Sequence, residues 1–184
     1  DKEWDWNYIS SNPNLKIEII DSYPDKDWSW ENISKNKNLN LTMEFIEKYH
    51  YKNWDWGWRG ISKNLNLNIE LIEKYPTKDW CWYGISENPN ITITMIDEHP
   101  DKDWNWIIIS KHPNLTMDII NKYPDKNWRW EYISKNPAIT MENIENNFTK
   151  PWDWHFGVSK NPNLTMEFIE KFPTRNWDWT AISE

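Results

Sequence analysis

Four histidines, one cysteine and 29 acidic side chains are the groups on which this 184-residue chain would have to build acid–base, nucleophilic or metal chemistry. Their spacing supports none of these. His50, His99, His112 and His155 fall at four different places in a repeating pattern, so they replace ordinary residues and form no ligand set. Cys81 has no histidine at a motif spacing to activate it. Gly57, Gly60, Gly84 and Gly157 are scattered and make no phosphate-cradling loop. The expectation is a non-enzymatic chain with no cofactor and no metal. What does recur is a cation two residues before a tryptophan: Lys2, Lys26, Lys52, Lys78, Lys102, Lys126, Lys150 and Arg175. Such a ladder can lay lysine stems over indole rings, with a cation–π gain of ~0.5–1 kcal/mol each. Alternatively it forms a row of charges about 10 Å apart that meets a polyanion. A net charge of −8 disfavours nucleic acid, whose binding rests on phosphate neutralisation.

The elements that carry this ladder are set by the 17 tryptophans. They pair one residue apart at Trp4/Trp6, Trp28/Trp30, Trp56/Trp58, Trp80/Trp82, Trp104/Trp106, Trp128/Trp130, Trp152/Trp154 and Trp177/Trp179, with Trp54 as an extra copy. Asp1, Asp25, Thr77, Asp101, Asp125, Thr149 and Thr174 stand three residues before the leading tryptophan, with Tyr51 the exception. Asp and Thr are strong N-caps. The expectation is therefore a helix A that starts there, carries both tryptophans and an Ile-Ser pair, and stops at Asn-Pro, as at Asn12-Pro13 and Asn136-Pro137. A strand reading of Trp-x-Trp lacks any hairpin turn signal.

A second cap column, Thr42, Asn68, Thr92, Thr116, Thr140 and Thr165 with Lys16 as the misfit, predicts helix B. Acids such as Glu44 and Asp118 sit two residues further on, where the helix dipole favours them. The pairs Leu15/Ile20, Leu41/Ile46, Leu67/Ile72, Ile91/Ile96, Leu115/Ile120, Ile139/Ile144 and Leu164/Ile169 read as hydrophobic staples. One such unit cannot bury enough apolar surface to fold alone, and stacking on its neighbours supplies the rest. The predicted fold is all-α: an α-solenoid of about seven 24-residue helix-turn-helix repeats plus a terminal helix. It forms a single tandem-repeat domain over 1–184, with repeats starting near 1, 25, 51, 77, 101, 125, 149 and 174. Most tryptophans are expected between helical layers, Trp30, Ile33 and Ser34 sharing one stripe.

Every second cap lies 12 residues before the next leading tryptophan, so all insertions fall elsewhere: in "NKNLNL" after Ser34, in "WDWGWRGIS" and at Gly157. Insertions in repeat proteins collect on one face, often the binding face. Substitutions gather between the tryptophans (Asp5, Ser29, Gly57, Cys81, Asn105, Arg129, Asp153, Asp178) and in the two positions after them. The candidate protein-binding residues are Tyr8, Glu31, Arg59, Tyr83, Ile107, Ile108, Arg129, Glu131, Tyr132, His155 and Phe156. Apolar and aromatic residues held outside a core call for a partner.

The combination of Asp-Lys-x-Trp-x-Trp, Ile-Ser-x-Asn-Pro-Asn and Thr-Met-Glu-x-Ile, as in "DKDWSWENISKN" and "NPNLTMEFIEKYP", resembles the Trp-rich tandem repeats of proteins encoded by amoeba-infecting giant viruses. The resemblance covers nearly the whole chain. It implies a viral origin and a cytoplasmic or virion location, and it carries no activity and no functional residues. Asp1 is not an initiator methionine, so a leader is not judged from this end; no stretch approaches a membrane span. Asn-x-Ser/Thr patterns, as at Asn114, coincide with helix entries. The reading is a repeat scaffold that binds a host or viral protein, with self-assembly possible. Its rivals are a module that holds glycans or cationic groups on leading tryptophans, and a polyanion binder along the lysine ladder.

Overall fold

The computed structural model describes residues 3–183, and within them every regular element is helical. Asp1 of the first cap column and Lys2 of the ladder lie outside the described residues. The chain divides into two compact units, one ending at Ile91 and the next beginning at Thr92. The first holds α1 (Trp6–Ser10), α2 (Ile17–Ser22), α3 (Trp30–Lys35), α4 (Met43–Lys48), a 3-10 turn at Ile61–Lys63, α5 (Ile69–Lys74) and α6 (Trp82–Ser86). The second holds α7 (Ile93–Glu98), α8 (Trp106–Ile109), α9 (Met117–Lys122), α10 (Trp130–Ser134), α11 (Met141–Asn146), a 3-10 turn at Val158–Lys160, α12 (Met166–Lys171) and α13 (Trp179–Ser183). Trp-bearing and Met/Ile-led helices alternate, as a helical repeat solenoid requires.

Helix B forms as the sequence predicts. Thr42, Asn68, Thr92, Thr116, Thr140 and Thr165 each accept a backbone N–H from three residues on, whereas Lys16 caps nothing with its side chain. Six of the staple pairs are buried at both ends; in the seventh Ile169 is buried and Leu164 half-buried. Helices of six residues are far below the length that is stable alone, so this packing holds them.

Helix A is shorter than predicted, and the first cap column is not a cap. Pro24 and Asp25 occupy the middle of a turn closed by the Lys26 N–H on the Tyr23 carbonyl at 3.3 Å. Proline pre-sets the backbone for that position. The Trp28 N–H then reaches the Lys26 carbonyl at 2.8 Å, so the donors that a helix starting at Asp25 would leave to a cap are already taken. The leading tryptophan therefore sits on non-helical backbone, and α3 begins at the second, Trp30. The true cap is the variable residue between them: Asp5, Ser29, Asn105 and Asp178 each accept an N–H from three residues on. Cys81 and Arg129 hold this place without a side-chain bond. The third pairing also shifts. Trp54 and Trp56 are buried as the regular pair, and Trp58 is the extra residue, left 45 % exposed.

Three kinds of interaction join successive repeats within each unit. The buried serine of Ile-Ser is the first: Ser110 Oγ donates to Trp106 O at 2.8 Å and accepts the Arg129 N–H at 2.9 Å. Ser10, Ser34, Ser62 and Ser159 repeat both bonds, and Ser134 accepts the Asp153 N–H. The second is an indole edge packed on an indole face. Trp6–Trp28, Trp30–Trp54, Trp56–Trp80, Trp106–Trp128, Trp130–Trp152 and Trp154–Trp177 all cross at 69° to 87°, with centroids 4.8–5.4 Å apart. The third is an asparagine ladder, absent from the sequence-based expectations. Asn36, Asn88, Asn136 and Asn161 donate side-chain N–H to the carbonyls of Asn12, Asn64, His112 and Asn136, one repeat back. Each Oδ1 closes its own loop two residues on; His112 Nδ1 does the same for the Asn114 N–H.

Charged rungs also link successive B helices. Lys48 and Tyr49 both reach Asp21 (2.8 and 2.7 Å), and Lys122 and Tyr123 reach Asp97 (2.6 and 2.7 Å). The Lys122 and Tyr123 hydrogen bonds hold the Asp97 carboxyl below the usual carboxylate range, against a smaller upward push from burial.

Replacing Ser110 with Ala leaves the Arg129 N–H without its acceptor, so about 1–3 kcal/mol of unfolding free energy is lost in urea titration. Ser183→Ala, at an exposed position, costs about 0.5 kcal/mol or less. A depressed carboxyl pKa contributes stability above the ordinary carboxylate range and loses it as pH falls through the lowered folded value. The wild-type urea midpoint is therefore expected to fall more steeply on acidification than that of Asp97→Asn.

Candidate functional site

Recognition by this fold has to use what the stacking leaves outside. The leading indoles are not outside: Trp28, Trp54, Trp104, Trp128, Trp152 and Trp177 are buried. Seven indole N–H groups, from Trp28 through Trp177, donate to the carbonyl five residues back. Burial and a satisfied donor leave these rings no free face for a glycan. Among the leading indoles Trp4 is exposed and Trp80 half-buried.

The cation ladder has a structural task. Lys26, Lys52, Lys78 and Lys126 stand over the second tryptophan of the preceding repeat, at 5.8, 5.7, 5.2 and 5.2 Å from the ring centroids of Trp6, Trp30, Trp56 and Trp106. Arg175 stands 4.6 Å over Trp154. The cation thus seals an indole from above, which explains why it persists ahead of a short helix.

The residues after the second tryptophan do lie outward. Tyr8 is 77 % exposed, Phe156 56 %, Tyr83 38 % and Ile107 36 %; Glu31, Arg59 and Arg129 are exposed, and Ile108, Glu131, Tyr132 and His155 half-buried. Several are brought together. The rings of Trp58 and Tyr83 stack at 4.9 Å and 15°. Tyr132 is ringed by Lys111 at 4.2 Å, Lys135 at 5.0 Å and Arg129 at 6.0 Å. Glu131 pairs with Lys135 (2.9 Å) and Arg129 (3.1 Å); chiefly the Lys135 hydrogen bond holds its carboxyl low. His155 meets Phe156 edge to face at 4.6 Å, and its Nδ1 is buried without a hydrogen bond. Glu31 is committed to Lys35 at 2.5 Å. Tyr8 and Arg59 stand apart from these groups.

Two of the three insertions line one cleft in the first unit, of about 640 Å³. One wall is the loop 34–40; the other is Trp58–Gly60 with Lys63–Asn66. Gly60 makes the second wall possible. A Cβ there would lie 1.9 Å from the Asp55 carbonyl oxygen, which accepts the Ile61 N–H as the inserted segment folds back. The cleft brings in Lys35, Lys37, Asn38, Lys63 and Asn64, none of them in the sequence-based candidate set. The insertions themselves were the available signal, because both lengthen the same junction. Among the described residues, no group of three or more His, Cys, Asp and Glu side chains is gathered to hold a metal ion, and no helix is long and apolar enough to cross a membrane.

Comparison with family models, with curated proteins and with solved structures returns no match.

Acrylamide quenching reads this division of the indoles. In a Trp4→Phe, Trp58→Phe, Trp179→Phe variant, the remaining fluorescence should resist quencher, since these three rings are the exposed tryptophans among the described residues. A Stern–Volmer slope equal to that of the wild type would place the sealed rings in water.

Proposed function

We propose that this chain is a non-enzymatic repeat scaffold that binds a protein through the outward residues following each second tryptophan. The observation that carries this reading is that Tyr83 and Ile107, directly after the second tryptophan, and Tyr8 and Phe156, one position further, stay exposed while the serines of the same helices and turns, Ser10, Ser86, Ser110 and Ser159, are buried. Large apolar groups held out of a core lose free energy until a partner covers them, and aromatic anchors dominate such contacts. Tyr132, ringed by cations beside the Arg129–Glu131 and Lys135–Glu131 ion pairs, adds a polar patch in the second unit. A viral source, a cytoplasmic or virion location and a host or viral partner belong to the same proposal and rest on the repeat resemblance.

A glycan or quaternary-ammonium site on leading tryptophans has less support, because those rings are sealed and their N–H groups are taken. Polyanion binding along the ladder competes with cations that cover indoles.

Affinity capture from source cells with the wild type, and with a Tyr8→Ser, Tyr83→Ser, Ile107→Ser, Phe156→Ser variant, tests the reading. These positions are exposed, so the variant should keep its thermal midpoint within a few degrees and lose its specific partner. Equal capture by the two proteins overturns the proposal.

A further inference from the structure

Where the cleft opens, the asparagine ladder lacks the rung from Asn64. At the junctions on either side a loop asparagine donates its amide to the carbonyl one repeat back, Asn36 to Asn12 and Asn88 to Asn64. Two extra residues in the loop after Ser34 and two more before Ile61 lengthen the step from Asn36 to Asn64 to 28 residues, against 24 on either side. Asn64 Oδ1 still closes its own loop on the Asn66 N–H, and the Asn66 amide holds the Leu41 carbonyl at 3.0 Å, but among the described residues the Asn64 amide N–H₂ makes no bond to the preceding repeat. One donor that elsewhere grips a peptide carbonyl is left facing a cleft of about 640 Å³.

The charge of that cleft is opposite to that of the chain. Its lining holds Lys35, Lys37, Arg59 and Lys63 and no carboxylate, in a protein of net charge −8. Lys35 and Lys63 are balanced from outside the cleft, by Glu31 and Asp55 and by Glu87 at 2.8 Å. Lys37 and Arg59, one on each wall, have no ion partner among the described residues. Asp55 borders the adjoining depression, with its carboxylate committed to the Gly57 N–H and to Lys35. Trp58 offers its edge and not a stacking face: Tyr83 lies parallel to the ring and Lys63 Nζ sits 4.2 Å from its centroid. A planar aromatic ligand has no platform here.

We infer that the cleft takes an acidic peptide segment of a protein partner, its carboxylates on Arg59 and Lys37 and a backbone carbonyl on the Asn64 amide. The peptide carbonyl supplies the rung that the insertions removed. Two unpaired cations suit two carboxylates, whereas a long nucleic acid would meet the repulsion of the net negative chain. This inference rests on the protein-binding reading and names a partner chemistry for it.

Fluorescence anisotropy tests it on the full 184-residue chain at low salt, with a fluorescein-labelled ten-residue peptide alternating aspartate with serine and a lysine–serine counterpart as control. The acidic peptide is expected to bind and the basic one not. Arg59→Gln and Lys37→Gln should each weaken binding roughly tenfold or more, and Asn64→Ala by about fivefold. Raising salt should weaken binding further. Lys37 and Arg59 are exposed, so their variants keep the wild-type thermal midpoint, whereas Asn64→Ala also loses the bond to the Asn66 N–H and is expected to lower it by a few degrees; Arg59→Lys should restore part of the affinity. Unchanged binding in both charge variants overturns the inference, as does tighter binding of a single-stranded oligonucleotide or full displacement by equimolar inorganic phosphate. The Tyr8→Ser, Tyr83→Ser, Ile107→Ser, Phe156→Ser variant separates the two proposals. If it loses its captured partner while the cleft variants still bind the acidic peptide, the cleft fails alone; if it keeps its partner and the cleft variants lose the peptide, the outward-residue reading fails alone.

Discussion

Within each unit the junctions between repeats turn on a serine hydroxyl, which at Ser10, Ser34, Ser62, Ser110 and Ser159 both donates and accepts. It gives its proton to the tryptophan carbonyl one turn back and takes the N–H of the residue between the next two tryptophans. That N–H belongs to a helix cap, outside the helix's own bonding, and would otherwise be buried without an acceptor. Alanine cannot accept it, and a larger side chain would force apart the indoles that close to within 4.8–5.4 Å around it. Each edge-to-face indole pair is worth about 0.5–1.5 kcal/mol beyond its buried area. Hydroxyl and indole pair together fix both the separation and the direction of the next repeat.

From this joint the economy of the rest follows. Because the link uses a backbone N–H, the side chain at that position is free to vary, and Ser29, Asp55, Cys81, Arg129, Asp153 and Asp178 all serve there. Because the second tryptophan is covered by the next repeat's cation and leading indole, helices of four to six residues suffice. The two positions beyond it make none of these bonds, so they are the ones able to carry recognition.

Insertions act on the same framework in a graded way. In the third repeat the extra residues replace a regular helix by a 3-10 turn and put Trp58 outside, yet Ser62 still donates to Trp56 O and accepts the Cys81 N–H. The serine joint survives, and so does the bond from the Asn66 amide to the Leu41 carbonyl, while the Asn64 rung is lost. An opening is thereby created at the loops without loosening the indole layer, which is how a repeat fold can gain a cleft and keep its core.

Much of this architecture is written in the chain itself. The period, the helix B caps, the staples and the burial of most indoles follow from local rules, since a threonine or asparagine before an apolar run meets the same orphan donors in any context. Thr116, Leu115 and Ile120 needed no neighbour to be placed. The start of helix A did need one. Asp25 has the composition of a cap, and only the closed Tyr23-to-Lys26 turn, with Trp28 drawn onto the Tyr23 carbonyl, shows that the donors were used elsewhere. The asparagine ladder and the cleft were decided by tertiary structure for the same reason: Asn36 and Asn64 are alike in sequence, and what separates them is whether a carbonyl from the preceding repeat comes within reach, which depends on lengths inserted elsewhere in the chain.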